Sequence, residues 1–156
     1  MRIRRFHTVF ILLCGLVSVA FLGTCDKMPI NGDLDGMWQL MTVQTPGHTR
    51  DAKTDQVYMC IQLHMVEWRY VRNDTIHFYS HFRQQADSLY ILDLYHASTH
   101  AAVGSDDIPV TASEMALGAM DLWGIHTLDT RYRIHHLDEN DLTLEKADTI
   151  YTFRKF

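Results

Sequence analysis

Apolar and polar positions alternate along most of this chain with a period of two, the spacing of a strand with one buried face. The strongest stretch is Val57 to Tyr70, read as one strand, where Met59, Ile61, Leu63 and Met65 recur on one face while Gln62 and His64 punctuate the other. Gly36 to Val43 reads as a first strand, ended by Pro46-Gly47. Asn73-Asp74 marks a turn before Thr75 to Arg83, whose Phe78 and Phe82 share a side opposite His77, Tyr79, His81 and Arg83. Asp87-Ser88 turns the chain into Leu89 to His96, with Leu92 and Leu94 on a common face. Turns this short imply a meander of adjacent antiparallel strands. Near the end, Tyr132 to Leu137 and Leu142 to Lys146 flank the polar turn Asp138 to Asp141, and Ala147-Asp148 leads into a last strand, Thr149 to Phe156.

From Ala97 to Pro109 the pattern fades into small and polar residues. One weak strand is expected near Thr99 to Val103, then a loop through Gly104 to Asp107. Thr111 or Ser113 is placed to cap a short helix with Glu114 in its first turn and Met115, Leu117, Met120 and Leu122 as apolar positions. Gly118 and Gly124 keep it short.

The count is about eight strands and one short helix, an all-β fold. An up-and-down antiparallel barrel suits it because closure leaves no exposed edge. A two-sheet sandwich is the alternative. In a closed barrel the first strand pairs with the last, so Trp38 lies near Phe153 to Phe156. Its ring then plugs the floor, Gly36 lets the incoming backbone pass closely, and Arg154 or Phe153 covers the indole. Any chamber is lined by the single-face positions Met59, Ile61, Leu63, Met65, Phe78, Phe82, Leu92 and Leu94, with the helix across one mouth. The same residues equally make a packed core, and sequence leaves that open.

The first 24 residues stand outside this pattern. Arg2, Arg4 and Arg5 form a basic head, and Val9 to Leu22 is an apolar run broken only by Ser18. A bilayer core takes about 20 apolar residues, so a run this short reads as a signal-peptide core. It ends in Leu22-Gly23-Thr24-Cys25, which resembles a bacterial lipobox directing acylation of the cysteine and cleavage before it. The organisation expected is a signal peptide over residues 1–24, a lipid-anchored tether over 25–35 containing Pro29 and Asn31-Gly32, and a barrel over 36–156.

Loss of the leader leaves 11 of the 14 bases against 19 acids, moving the net charge from −5 to −8. That balance argues against nucleic acid and anionic lipid headgroups as partners and favours solubility. Cys14 leaves with the leader and Cys25 is taken by the anchor, so Cys60 is the remaining thiol and the domain has no internal disulfide. Cys60 sits in an apolar strand pattern and reads as a small hydrophobe.

Histidine is abundant, yet its spacing argues against a metal site. His77 and His81, like His96 and His100, are four apart, which on a strand means about 13 Å, far beyond two bonds to one ion. His135-His136 fall on opposite faces of a regular strand, and only a cross-strand pair such as His64 with His81 stays open. The acids cluster at turns, and no phosphate loop, nucleophile elbow or zinc-protease string is present, so neither catalysis nor a cofactor is expected. Asp74-Thr75-Ile76, Asp87-Ser88-Leu89 and Asp148-Thr149-Ile150 repeat one pattern at turn-to-strand junctions. Turn chemistry accounts for it, and it also resembles a protein O-glycosylation motif of exported bacterial proteins.

Gly36-Met37-Trp38 resembles the Gly-x-Trp signature of lipocalins. The wider string from Cys25-Asp26-Lys27-Met28-Pro29 through Asn31-Gly32-Asp33-Leu34-Asp35-Gly36-Met37-Trp38-Gln39-Leu40, with the closing Phe153-Arg154-Lys155-Phe156, is similar to a family of small lipocalin-like lipoproteins of gut bacteria. The resemblance implies a barrel anchored to a cell-envelope membrane. It leaves two functions open, a small apolar or amphipathic ligand held inside or a packed barrel acting on an unidentified protein partner. Intact-mass analysis of the product from a lipoprotein-processing bacterium is expected to give a chain starting at an acylated Cys25. A free Cys25 or another start site contradicts the anchor.

Overall fold

The computed structural model describes residues 30–72, 77–96 and 108–156. Cys25, the Asn73-Asp74 turn, Asp74-Thr75-Ile76, His100 and the expected strand at Thr99 to Val103 lie outside the described residues. The strands are β1 (Gly36–Thr45), β2 (His48–Asp51), β3 (Val57–Gln62), β4 (Met65–Tyr70), β5 (His77–Gln85), β6 (Ser88–His96), β7 (Ile108–Pro109), β8 (Thr130–Leu137), β9 (Asp141–Lys146) and β10 (Thr149–Lys155). Eight of them run around a ring in the order β1, β3, β4, β5, β6, β8, β9, β10, each antiparallel to the next, and β10 closes on β1. The two extra strands sit at its margins, β2 as a hairpin on the far half of β1 and β7 on the end of β6. Helix α1 (Ala112–Ala116) and a 3-10 turn (Asp121–Trp123) lie between β7 and β8 at the lid end, opposite the floor end where β1 begins.

The Val57 to Tyr70 stretch is a hairpin rather than one strand. Gln62 pairs with Met65, and Leu63-His64 forms a two-residue turn in which Leu63 takes a left-handed φ of 59°. Turns of this length usually carry Gly, Asn or Asp, so sequence hides this one. The Asn31 side-chain amide holds it, donating to the Leu63 carbonyl at 2.6 Å. The period-two rhythm also slips at bulges. Met41, Asp93 and His135 are each left without a partner while the residues on either side keep pairing. A bulge adds one residue to one strand, so every later side chain changes face. His135 and His136 consequently both point to solvent instead of to opposite faces.

The floor is built around Trp38, which is fully buried. Its indole N–H donates to the Leu34 carbonyl at 2.8 Å, tying the strand to the short 3-10 turn that precedes it. Register sets what covers the ring. Trp38 lies opposite Lys155, Gln39 opposite Arg154 and Leu40 opposite Phe153. Phe153 is therefore inside and buried, whereas Arg154 points out and does not reach the indole. Lys155 takes the place expected of Arg154, with Nζ 4.6 Å from the ring centroid and donating to the Asp33 carbonyl at 2.8 Å. Gly36 enters the strand at φ +139°, and a Cβ there would press to 3.0 Å on the Lys155 stem.

Trp38→Ala is expected to cost about 3–5 kcal/mol in chemical denaturation, near the whole stability of a small domain. A cost below about 1 kcal/mol would mean that the floor does not depend on this ring.

Candidate functional site

Three places invite a site: the barrel interior, the lid end and the outer wall. Inside, Met59 and Ile61 from β3, Phe78 and Phe82 from β5 and Leu94 from β6 are buried and face inward, as their pattern implied. Three other lining positions do not. Leu63 is in the hairpin turn and 54% exposed, and Met65, the first residue after it, is 40% exposed. Leu92 is half-buried opposite the exposed His81, since the Asp93 bulge puts it out of phase with Leu94. The interior positions that the pattern missed are Val66 and Trp68 of β4 and Leu89 and Ile91 of β6. Breaking Val57 to Tyr70 at His64 would have revealed the first two.

Among the described residues the centre of the interior is closed to water. Trp38, Met59, Trp68, Leu89 and Leu142 have 0% accessible area, although each points into the barrel. Side chains around a chamber would still present area that a water molecule can touch. Trp68 occupies the centre, donating to the Ser80 hydroxyl at 3.0 Å, and meets Trp123 edge-on with ring centroids 5.9 Å apart.

Trp123 comes from the lid end. α1 starts at a capping box in which the Thr111 side chain accepts from the Glu114 N–H and the Glu114 carboxylate accepts from Thr111. Those bonds hold the Glu114 carboxyl below its ordinary range, and His96 at the end of β6 sits 2.8 Å from it. Beyond the helix, Trp123 drops into the barrel and donates its indole N–H to the Tyr58 carbonyl at 3.1 Å. Its own carbonyl accepts from the Tyr132 hydroxyl at 2.5 Å, and the Gly124 carbonyl accepts from Lys146 Nζ at 2.6 Å. Complete burial raises the Tyr132 phenol well above its usual range, with Tyr151 adding to the shift, so it remains a donor. Burial lowers the Lys146 ammonium. Gly124 has φ +71° and lies so close to Tyr151 that an added Cβ would collide with the phenol oxygen. Hydrogen bonds to Tyr58, Tyr132 and Lys146 pin the lid, which sits in the barrel as a plug. Beside it, a hollow of about 290 Å³ lies between Met115 and Leu128.

A cleft of about 610 Å³ lies on the outer wall at the floor end, lined by Ile30, Met37, Cys60, Leu63, Glu67 and Arg69. Glu67 Oε1 is 3.4 Å from Arg69 Nε, in ion-pair range without hydrogen-bond geometry. Burial, aided by the Glu67 charge, pushes the Cys60 thiol up to about 11 against the opposing effect of Arg69. The thiol is thus protonated at neutral pH and a poor nucleophile.

Histidines decorate the exterior in pairs with acids: His81 with Asp93, His96 with Glu114, His126 with Asp121, His135 with Glu145 and His136 with Asp138. His64 lies in the β3–β4 turn, and it is Met65 that pairs directly with His81. Among the described residues no three His, Cys, Asp or Glu side chains gather as metal ligands. Ser88, in the repeated turn pattern, is buried, and its hydroxyl accepts from Arg131 at 2.8 Å.

Nothing among the curated proteins matches this chain. A lipocalin-like protein of Bacteroides uniformis has a similar structure, with a TM-score of 0.60 and 20% identity over 80% of this chain and 100% of that one. An uncharacterized protein of Bacteroides eggerthii aligns with a TM-score of 0.55 and 20% identity over 78% of this chain and 98% of that one. At such identity the likeness speaks for the barrel fold alone. A family model for the lipocalin-like domain matches residues 19–156, a span that holds all eight barrel strands, the floor and the plug. The chain belongs to the lipocalin-like domain family.

Proposed function

We propose that this chain is an exported, lipid-anchored protein of the cell envelope whose filled barrel acts through its outer surface on another envelope component. The absence of accessible area at Met59, Trp68, Leu89 and Leu142 carries this reading, because an interior without space offers a ligand nothing to occupy. The lipocalin-like architecture then serves as a rigid scaffold without open edges, held at the membrane through Cys25. Ile108 and Leu117 stand exposed at the lid end and give a protein partner an apolar foothold. Catalysis is no part of the reading, since the protonated Cys60 is the strongest nucleophile candidate on the outer wall.

A second reading, in which the protein holds a small apolar or amphipathic molecule, draws support from the hollow of about 290 Å³ beside Met115 and Leu128. It lies at the lower edge of the volumes typical of small-molecule sites, about 300–1,000 Å³. Such a ligand sits at the mouth and reaches the interior only by displacing Trp123.

Native mass spectrometry of the purified protein is expected to give the bare processed mass, and an environment-sensitive apolar dye is expected not to bind. Trp123→Ala empties the plug position and is expected to gain dye binding while keeping its cooperative unfolding. A stoichiometric co-purifying mass on the wild type, or dye binding by it, favours the ligand reading instead.

A further inference from the structure

The floor rim is not uniform around its circumference. In ring order, the β3–β4 hairpin and the β8–β9 hairpin lie on opposite sides of the barrel, and both turn at the floor end. The β3–β4 side exposes Leu63 and Met65 alongside Gln62 and His64, joined by Ile30, 60% exposed, and by Phe156, 77% exposed, whose ring meets Tyr58 on the adjoining β3 wall edge-on with centroids 5.8 Å apart. Asn31 holds Ile30's neighbourhood to the turn through the Leu63 carbonyl, and the Phe156 amide donates to the Met37 carbonyl at 2.8 Å on the same side. The β8–β9 side carries Asp138, Glu139 and Asp141. Backbone N–H groups of Asn140 and Asp141 hold the Asp138 carboxyl down at about 2, so that lip stays charged at any ordinary pH.

Chain length adds a constraint. Four residues lie between Cys25 and Ile30, so even fully extended the five Cα–Cα steps span roughly 18 Å. The lid end stands a tilted strand length above the floor, roughly 20–25 Å for the nine residues of β5. An anchor at Cys25 thus lies close to the apolar lip and out of reach of the lid.

We infer that the β3–β4 side of the floor rim, with Ile30, Leu63, Met65 and Phe156, is a membrane-contacting face that sits in the headgroup region of a lipid bilayer while the plugged lid end faces away. The inference rests on the anchor reading of Cys25 and adds to it a fixed orientation. The anchor brings the lip to the surface, and the four apolar side chains lose water contact by entering the boundary between headgroups and acyl chains. The acidic lip opposite is costly to bury against a membrane, so the barrel tilts toward β3–β4. The 610 Å³ cleft beside the lip, with Met37 and the Glu67–Arg69 pair, then lies at headgroup level.

The test is depth-dependent quenching in two single-tryptophan additions, Leu63→Trp at the lip and Leu117→Trp at the lid end. The native tryptophans are buried and give a constant background. Each variant is made as the full chain in a lipoprotein-processing bacterium and reconstituted into zwitterionic vesicles with or without brominated acyl chains. Intact mass reports separately whether Cys25 is acylated. If it is not, the processed chain is coupled through the Cys25 thiol to a maleimide lipid in a Cys60→Ser background, which preserves the tether and isolates orientation from processing. The added emission of Leu63→Trp is expected to fall by about half on brominated vesicles, while Leu117→Trp stays unchanged. Equal quenching of the two, stronger quenching at Leu117→Trp, or none at Leu63→Trp overturns the inference.

Discussion

Everything in this molecule depends on β10 meeting β1. Their antiparallel pairing runs from Trp38 opposite Lys155 to Gln44 opposite Ile150 and turns a meander into a ring without free edges. It also makes the floor. Because Trp38 and Lys155 are directly opposed, the ring is roofed by an ammonium that is itself fixed by the Asp33 carbonyl. Were the register shifted by one residue, Arg154 would replace Lys155 and Phe153 would turn outward. The same pairing brings the last residue, Phe156, beside the place where the chain enters the domain, which concentrates apolar tips on one side of the floor rim.

Filling proceeds from both ends toward Trp68. Leu34 and Trp38 come from below, Trp123 from above, and all three are buried with Trp68 in one core. The plug is expensive to place, since Trp123 and Gly124 bring backbone carbonyls into an apolar setting. Tyr132 and Lys146 satisfy those carbonyls, and the Trp123 indole N–H in turn satisfies Tyr58. These bonds make a seal rather than a gate. They support a reading in which the protein presents surfaces, an apolar lip toward the membrane and a lid end toward the aqueous side.

Much of this was legible in the residues. Alternation at Met59, Ile61, Phe78 and Phe82 picks out their inward face, and the Gly36-Met37-Trp38 string identifies the floor. The cap is legible as Thr111 or Ser113, and the structure takes Thr111, whose hydroxyl stands three residues before Glu114. What failed did so where the backbone left its simple period. Leu63 adopts a left-handed conformation that its side chain does not advertise, so plain alternation puts Leu63 and Met65 inside. The Asp93 bulge moved Leu92 off the inner face, and the bulge at His135 sent both adjacent histidines outward. Arg154 and Lys155 differ by one position, and composition does not resolve a parity that register decides. Whether the barrel is hollow was not readable at all, since the same apolar positions line a chamber or pack one shut.

Trp123 is a permanent part of the core. Native-state hydrogen exchange of the tryptophan indole N–H groups, followed by NMR, tests it most directly. The Trp123 proton, bound to the Tyr58 carbonyl, is predicted to exchange only through global unfolding, at the same free energy as Trp38 and Trp68. Exchange of Trp123 by a low-energy local opening, with Trp38 and Trp68 still protected, would show that the lid opens in the folded barrel and would contradict the account.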